Sequence, residues 1–430
     1  MKKKPWILIS AWALVAIPLL GVSSFIAEKA DRGIVMRPVR KLANKVGINI
    51  PPPTLSAEEK AEARATAKAW KDECLKKYPV LKVEPHSVPD EENGFLMLYQ
   101  LDKSPRISEE FKEFVSEWIY SDDQELDAET AKRLLEEHAK HVAHIEHIAK
   151  LTTRSSINMP SDYMGFIGAR DTKQATELLM LKACLAADEG AEKEALHYIT
   201  LTGNLLAHLR EIETPFFLSE TVAIIVERSR QNITLKHILP KLGKECDLPA
   251  WRKELARMND YSPQRYATLI KGEWNTATNH MVFPLMAEAD KDGTMGDAKA
   301  CTMTYTAWMV EEILKMNAAN SWRDIKEENL EEKFKSLPTE QEMMMSALTL
   351  GIHAWQKGFQ RTARVSAQSL AALDLLVLGK TKGSLVAADA EQVSLDPITG
   401  KPFAFDPKNR TLSASKPNGD FGVDPLELPW

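Results

Sequence analysis

The sequence predicts an all-α fold, a multi-helix body closed by a short irregular β-hairpin tail. Apolar residues recur at helical spacing from Ser56 to about residue 380. Sustained two-residue alternation is scarce over that span, and from residue 386 onward the chain turns to Pro, Gly and Asp with two short strand-like runs. With 44% apolar and 27% charged residues, the 430-residue chain can bury a large core, which excludes disorder along its whole length.

The front is different in kind. Lys2, Lys3 and Lys4 precede an uncharged run from Pro5 to Ala27, long enough to span a bilayer as a helix. Residues 1–27 therefore predict a signal-anchor or transmembrane segment, with the body outside the cytoplasm. The alternative is a signal peptide that is removed, leaving a secreted or periplasmic protein. Cleavage after Ala27 would place bulky Phe25 two positions upstream of the last residue removed, which favours retention. Basic residues from Lys29 to Lys45 follow the run as well and blunt the charge argument for orientation. Residues 28–55 read as a juxtamembrane spacer ending in Pro51, Pro52 and Pro53.

Residues 56–385 form the predicted helical body. Ser56 followed by Glu59 is a capping-box signature. Helices are expected over 108–120, 127–151, 171–188, 193–210, 215–233, 248–259, 262–274, 298–316, 339–355 and 359–378. Ala183, Ala186 and Ala187, then Gly190 and Ala195, resemble one tetratricopeptide-type hairpin, in which small side chains let two helices approach closely. In the tail, residues 386–430, strands are expected over 402–405 and 411–415.

Asp396, Pro397, Thr399, Gly400, Lys401, Pro402 and Phe403 make a DPxTGKPF motif. On these residues the chain resembles a group of exported bacterial helical proteins that share an N-terminal apolar segment. The tail also looks like the globular end of type II secretion pseudopilins, although the chain lacks the glycine, Phe and Glu that pilin processing needs. Neither resemblance implies a catalytic residue.

Composition narrows the function. Residues 1–50 hold nine basic and two acidic side chains, a net of +7, so the remainder carries −13 of the overall −6. An acidic body argues against nucleic acid as partner. Cys74, Cys184, Cys246 and Cys301 lie far apart without a CxxC pair, which excludes a cysteine-rich zinc module.

The candidate chemistry is concentrated on the 127–151 helix, where His138, His141, His144 and His147 recur every third residue. Each such step drifts about 60° around a helix, so one ion cannot collect all four. Glu137, His141 and His144 share a narrower stripe, the donor set of a site for zinc or another transition metal. Glu220 and Glu227, seven residues apart on an apolar helix, share a face as an acid and base pair would. The simpler use of both is a polar stripe that lets the helix meet water or a neighbouring arginine. Asp396, Asp406, Asp420 and Asp424 are oxygen donors of the kind calcium takes.

The resulting expectation is a non-catalytic cell-envelope scaffold or interaction protein, held to the membrane through residues 5–27. The alternative is a metal-dependent hydrolase using Glu137, His141 and His144, with His197 or His208 as further ligands.

Overall fold

The computed structural model describes residues 56–430 apart from 85, 104–106, 121–125, 158–168, 281, 292–296, 327–329, 336, 338, 415–422 and 430. The expected membrane segment and spacer lie outside the described residues. Among those described, no helix is long and apolar enough to cross a membrane.

The body is helical, as the periodicity requires. Helix α1 (Ala57–Lys77) starts on the expected capping box, with Ser56 Oγ accepting from Glu59 N and Glu59 Oε2 accepting from Ser56 N. There follow α2 (Gly94–Tyr99), α3 (Glu109–Tyr120), α4 (Ala128–Glu137), α5 (Ala139–Lys150), α6 (Ala169–Asp188), α7 (Glu192–Arg210) and α8 (Phe217–Ile233). A π-turn, Thr234–Ile238, joins α8 to the short α9 (Leu239–Leu242). Pro240 has no N–H to offer the carbonyl of Lys236, so the ladder must change pitch there. Then come α10 (Leu248–Ala256), α11 (Pro263–His280), α12 (Val282–Lys291), α13 (Ala298–Ala318), α14 (Leu330–Phe334) and α15 (Thr339–Lys382).

Two expectations about helix boundaries are corrected. Residues 127–151 are two helices that part at His138, whose φ of −106° and ψ of 18° leave the helical region. Its ring stacks on Phe111 at 5.3 Å, and its Nε2 shares a hydrogen bond with Ser108 Oγ at 3.1 Å. Conversely, 339–355 and 359–378 are one helix of 44 residues, about 66 Å long. Gly351 and Gly358 look like breaks, but buried Ile352, Trp355 and Phe359 hold the backbone helical through both.

The Ala-rich hairpin forms as expected. Gly190, at φ 70°, makes the turn between α6 and α7, and Ala183, Ala186, Ala187 and Ala195 are buried where the two helices meet. The tail forms a three-stranded antiparallel sheet in the order β1 (Ala404–Asp406), β2 (Thr411–Ser413), β3 (Leu426–Glu427), with Phe405 opposite Leu412.

The apolar residues fall into two clusters. The first joins α2 to α7, the inner face of α8, α10, Ala371–Leu376 of α15 and the tail residues Phe403, Phe405, Leu412 and Leu428. The second joins α1, Phe217 and Ile224 of α8, α11 to α13, and Met345–Ala363 of α15. Helices α8 and α15 therefore belong to both. Where the two clusters meet, the interior is charged.

Candidate functional site

A seam of buried arginines and carboxylates follows α8 between the clusters. At its start Glu220, fully buried, lies between two guanidiniums: Arg210 Nη2 of α7 at 2.9 Å and Arg265 Nη2 of α11 at 2.6 Å. Burial alone would raise the Glu220 carboxyl, but Arg210 and Arg265 overcome it and hold the group below the usual carboxylate range. Arg210 also donates to the carbonyls of Met258 and Asp260 and lies 4.9 Å above the Tyr261 ring.

Two turns along, Glu227 accepts two bonds from Arg230, Nε at 2.8 Å and Nη2 at 3.0 Å. The fork geometry of guanidinium and carboxylate makes this the stronger kind of ion pair. Arg230 Nη1 reaches Glu254 of α10 at 3.0 Å, and Arg257 Nη2 bonds the same Glu254 oxygen at 3.0 Å. Gly203 of α7 makes room for this cluster, since a Cβ there would lie 2.6 Å from Arg257 Nη2 and 3.1 Å from Arg230 Nη1. Beyond it Gln231 Nε2 donates to Glu227, to Asn259 Oδ1 and to Ser366 Oγ of α15.

The seam ends at the tail motif. Arg364 of α15 and Asp396, both buried, are joined through Asp396 Oδ2, at 2.9 Å to Nε and 2.7 Å to Nη2. The other carboxylate oxygen accepts from Ile398 N at 2.9 Å and Thr399 N at 3.3 Å. Gly400 N closes the turn on Asp396 O at 2.8 Å with φ 67°, and a Cβ there would meet Arg323 Nη1 at 2.3 Å. The DPxTG spacing is thus an Asx turn closed around a buried arginine. A second copy of this chemistry, Asp406 with Lys408 N and Asn409 N, turns β1 towards β2. Gln368 adds a further tie, donating to the carbonyls of Leu412 and Asp424.

Chemically, this seam fixes charge in place. Glu220 and Glu227 occupy one helix face, as their spacing suggests, and each is held by arginines from within the fold. An ionised carboxylate locked to a guanidinium is a poor proton acceptor or donor near neutral pH. Asp396 and Asp406 likewise spend their oxygens on backbone N–H groups and, for Asp396, on Arg364.

The residues expected to hold a metal are placed differently from one stripe. Glu137 ends α4, is exposed, and pairs with Arg133 Nη1 at 2.6 Å. His141 and His144 stand on α5, beyond the break, and both are half-buried. Burial, then the neighbouring charges of His144 and His138, keep the His141 imidazole neutral to lower pH than usual. His208 is fully buried on α7, with Nε2 donating to Ile148 O at 3.0 Å, and His197 lies beside Tyr198. Among the described residues, no group of three or more His, Cys, Asp or Glu is placed to hold a metal ion.

The arginine partners are what sequence reasoning missed. Their signal is present: Arg210, Arg230 and Arg364 each interrupt an apolar helical face, a placement that requires a buried acid. Comparison of the chain with models of protein families, with characterised proteins and with solved structures finds no match.

Proposed function

We propose that this chain is a non-catalytic cell-envelope scaffold, tethered through residues 5–27 with its helical body outside the cytoplasm. One observation carries the reading: along the seam, buried arginine–carboxylate pairs bridge helices, as in Glu220 with Arg210 and Arg265. Such pairs specify which helix packs on which, a use suited to a rigid spacer more than to a reaction centre. The uncharged run of residues 5–27 supplies the tether, and the spacer of residues 28–55 sets the body away from the bilayer.

Fractionation tests the placement. Full-length protein should sediment with membranes and resist extraction by high salt, and deletion of residues 1–27 should release the body. Recovery of the intact chain in the cytosolic supernatant would overturn the reading. Chemical crosslinking in intact cells tests the scaffold role: a discrete complex with other envelope proteins is expected, and a chain that crosslinks to none counts against it.

A further inference from the structure

The seam carries more positive than negative charge, and the surplus is local. Among the described residues, Arg228 of α8 and Arg361 of α15 take no part in the ion pairs that hold their neighbours. Gln231 Nε2 donates to Ser366 Oγ at 2.9 Å and so registers α8 against α15. Arg228 lies one turn before Gln231 on its helix, and Arg361 lies a little more than one turn before Ser366 on the other. Arg361 Nε is shielded from solvent without a hydrogen-bond partner, and so is Asn259 Nδ2, whose Oδ1 is already occupied by Gln231 and Ser366.

Buried N–H groups in this state are rare, because each forgoes about 1–3 kcal/mol of hydration without replacement. Two guanidiniums brought together without an acid between them also repel. Crowding by protein atoms, followed by the Arg361 charge, holds the Arg228 guanidinium below the usual arginine range, with the Asp424 carboxylate as the opposing influence. Arg228 is exposed, which leaves the pair accessible from outside. The contrast with the rest of the seam lies in the counter-charge: Arg210 and Arg265 also leave Nε without a partner, but they, with Arg230 and Arg364, each have a carboxylate within 3 Å.

We propose that Arg228 and Arg361 form an oxyanion-binding site at the crossing of α8 and α15. The planar fork of arginine suits a phosphoryl or carboxylate group, which would accept from both guanidiniums and cancel their repulsion. A phosphoryl group has the oxygens to engage both guanidiniums at once. In an envelope protein it has two sources, free phosphate or an anionic phospholipid headgroup.

The test uses full-length protein in a neutral detergent, with inorganic phosphate as probe and chloride at matched ionic strength as control. Phosphate at about ten times its dissociation constant should raise Tm by about 2 °C beyond chloride. R228Q, at an exposed position, should fold, abolish that increment, and in chloride melt no lower than wild type because a like charge is gone. R228K keeps the charge without the fork and should retain part of the increment. A wild-type shift equal to that in chloride, or a full shift in R228Q, overturns the proposal.

Two vesicle arms separate the sources. For the full chain reconstituted in vesicles of anionic phospholipid, a rise in Tm over zwitterionic vesicles that R228Q abolishes assigns the headgroup. Equal Tm in both vesicles, with the phosphate increment intact, assigns the soluble anion. Loss of both increments in wild type overturns the site while leaving the scaffold reading untouched.

Discussion

Replacing Asp396 by Asn tests the clasp between tail and body most directly. The amide preserves Oδ1 as acceptor for Ile398 N and Thr399 N but removes the negative charge opposite Arg364. Arg364 is fully buried, so loss of the Asp396 charge beside its guanidinium should cost about 3–5 kcal/mol. The loss has a ceiling. If detaching the tail costs less, the tail will open and Arg364 will hydrate, while Phe403, Phe405, Leu412 and Leu428 lose their burial. At about 1.5–3 kcal/mol for each buried apolar side chain, that opening is the more expensive route before chain entropy is counted and comparable to it after. Urea unfolding reports the first route, as a fall in midpoint at constant slope. Limited proteolysis with mass analysis reports the second, as early cleavage after residue 400. R364M/D396L should recover much of the loss, because paired apolar groups replace a paired charge. A D396N protein within about 1 kcal/mol of wild type and equally protease-resistant would refute the argument.

Three further outcomes follow from the same structure. His208, which burial lowers to about 4 from an unfolded value of 6.5, contributes stability that is fully present above pH 6.5 and is lost as pH falls through 4. The loss is about 3 kcal/mol, and denaturation across pH 4–7 should show the slope vanish in H208N. Glu273 of α11 has the opposite sign. Burial raises its carboxyl to about 7 although it accepts from Phe217 N at 3.2 Å at the start of α8. Its contribution is therefore present below pH 4.5 and lost by pH 7, about 2 kcal/mol after allowing for its partial exposure, and E273Q should flatten it. Gly272 faces Pro215 so closely that a Cβ would lie 1.6 Å from the Pro215 carbonyl oxygen. G272A should thus cost at least about 2 kcal/mol, measured by urea midpoint, and an unchanged midpoint would refute the contact.

Which parts of this fold can be read from sequence depends on how local their causes are. The capping box at Ser56 and the Gly190 turn depend on neighbours a few residues away, and both are legible. The break at His138 depends on Ser108 and Phe111, some thirty residues distant, so helical periodicity runs through it unmarked. Strand β3 escapes for the same reason, since two residues have no period and form only against β2. Helix α12 carries Pro284 in its first turn, where the missing N–H costs nothing. At the seam, the shared face of Glu220 and Glu227 follows from a seven-residue spacing and Arg230 stands three residues beyond Glu227 on the same helix, whereas Arg210 and Arg265 reach Glu220 only through tertiary packing. An arginine within an apolar stripe is nonetheless a local sign that an acid lies across the interface.

The first apolar cluster draws on both ends of its sequence range, from Phe95 to Leu428. A ribosome delivers the tail residues after the rest of this cluster, so the growing polypeptide must carry an incomplete interior while the intervening residues are made. Premature termination ahead of Phe403 would remove the tail's share of the cluster that holds Leu373 and Leu376, turning the loss of that short segment into a sticky, degradation-prone product.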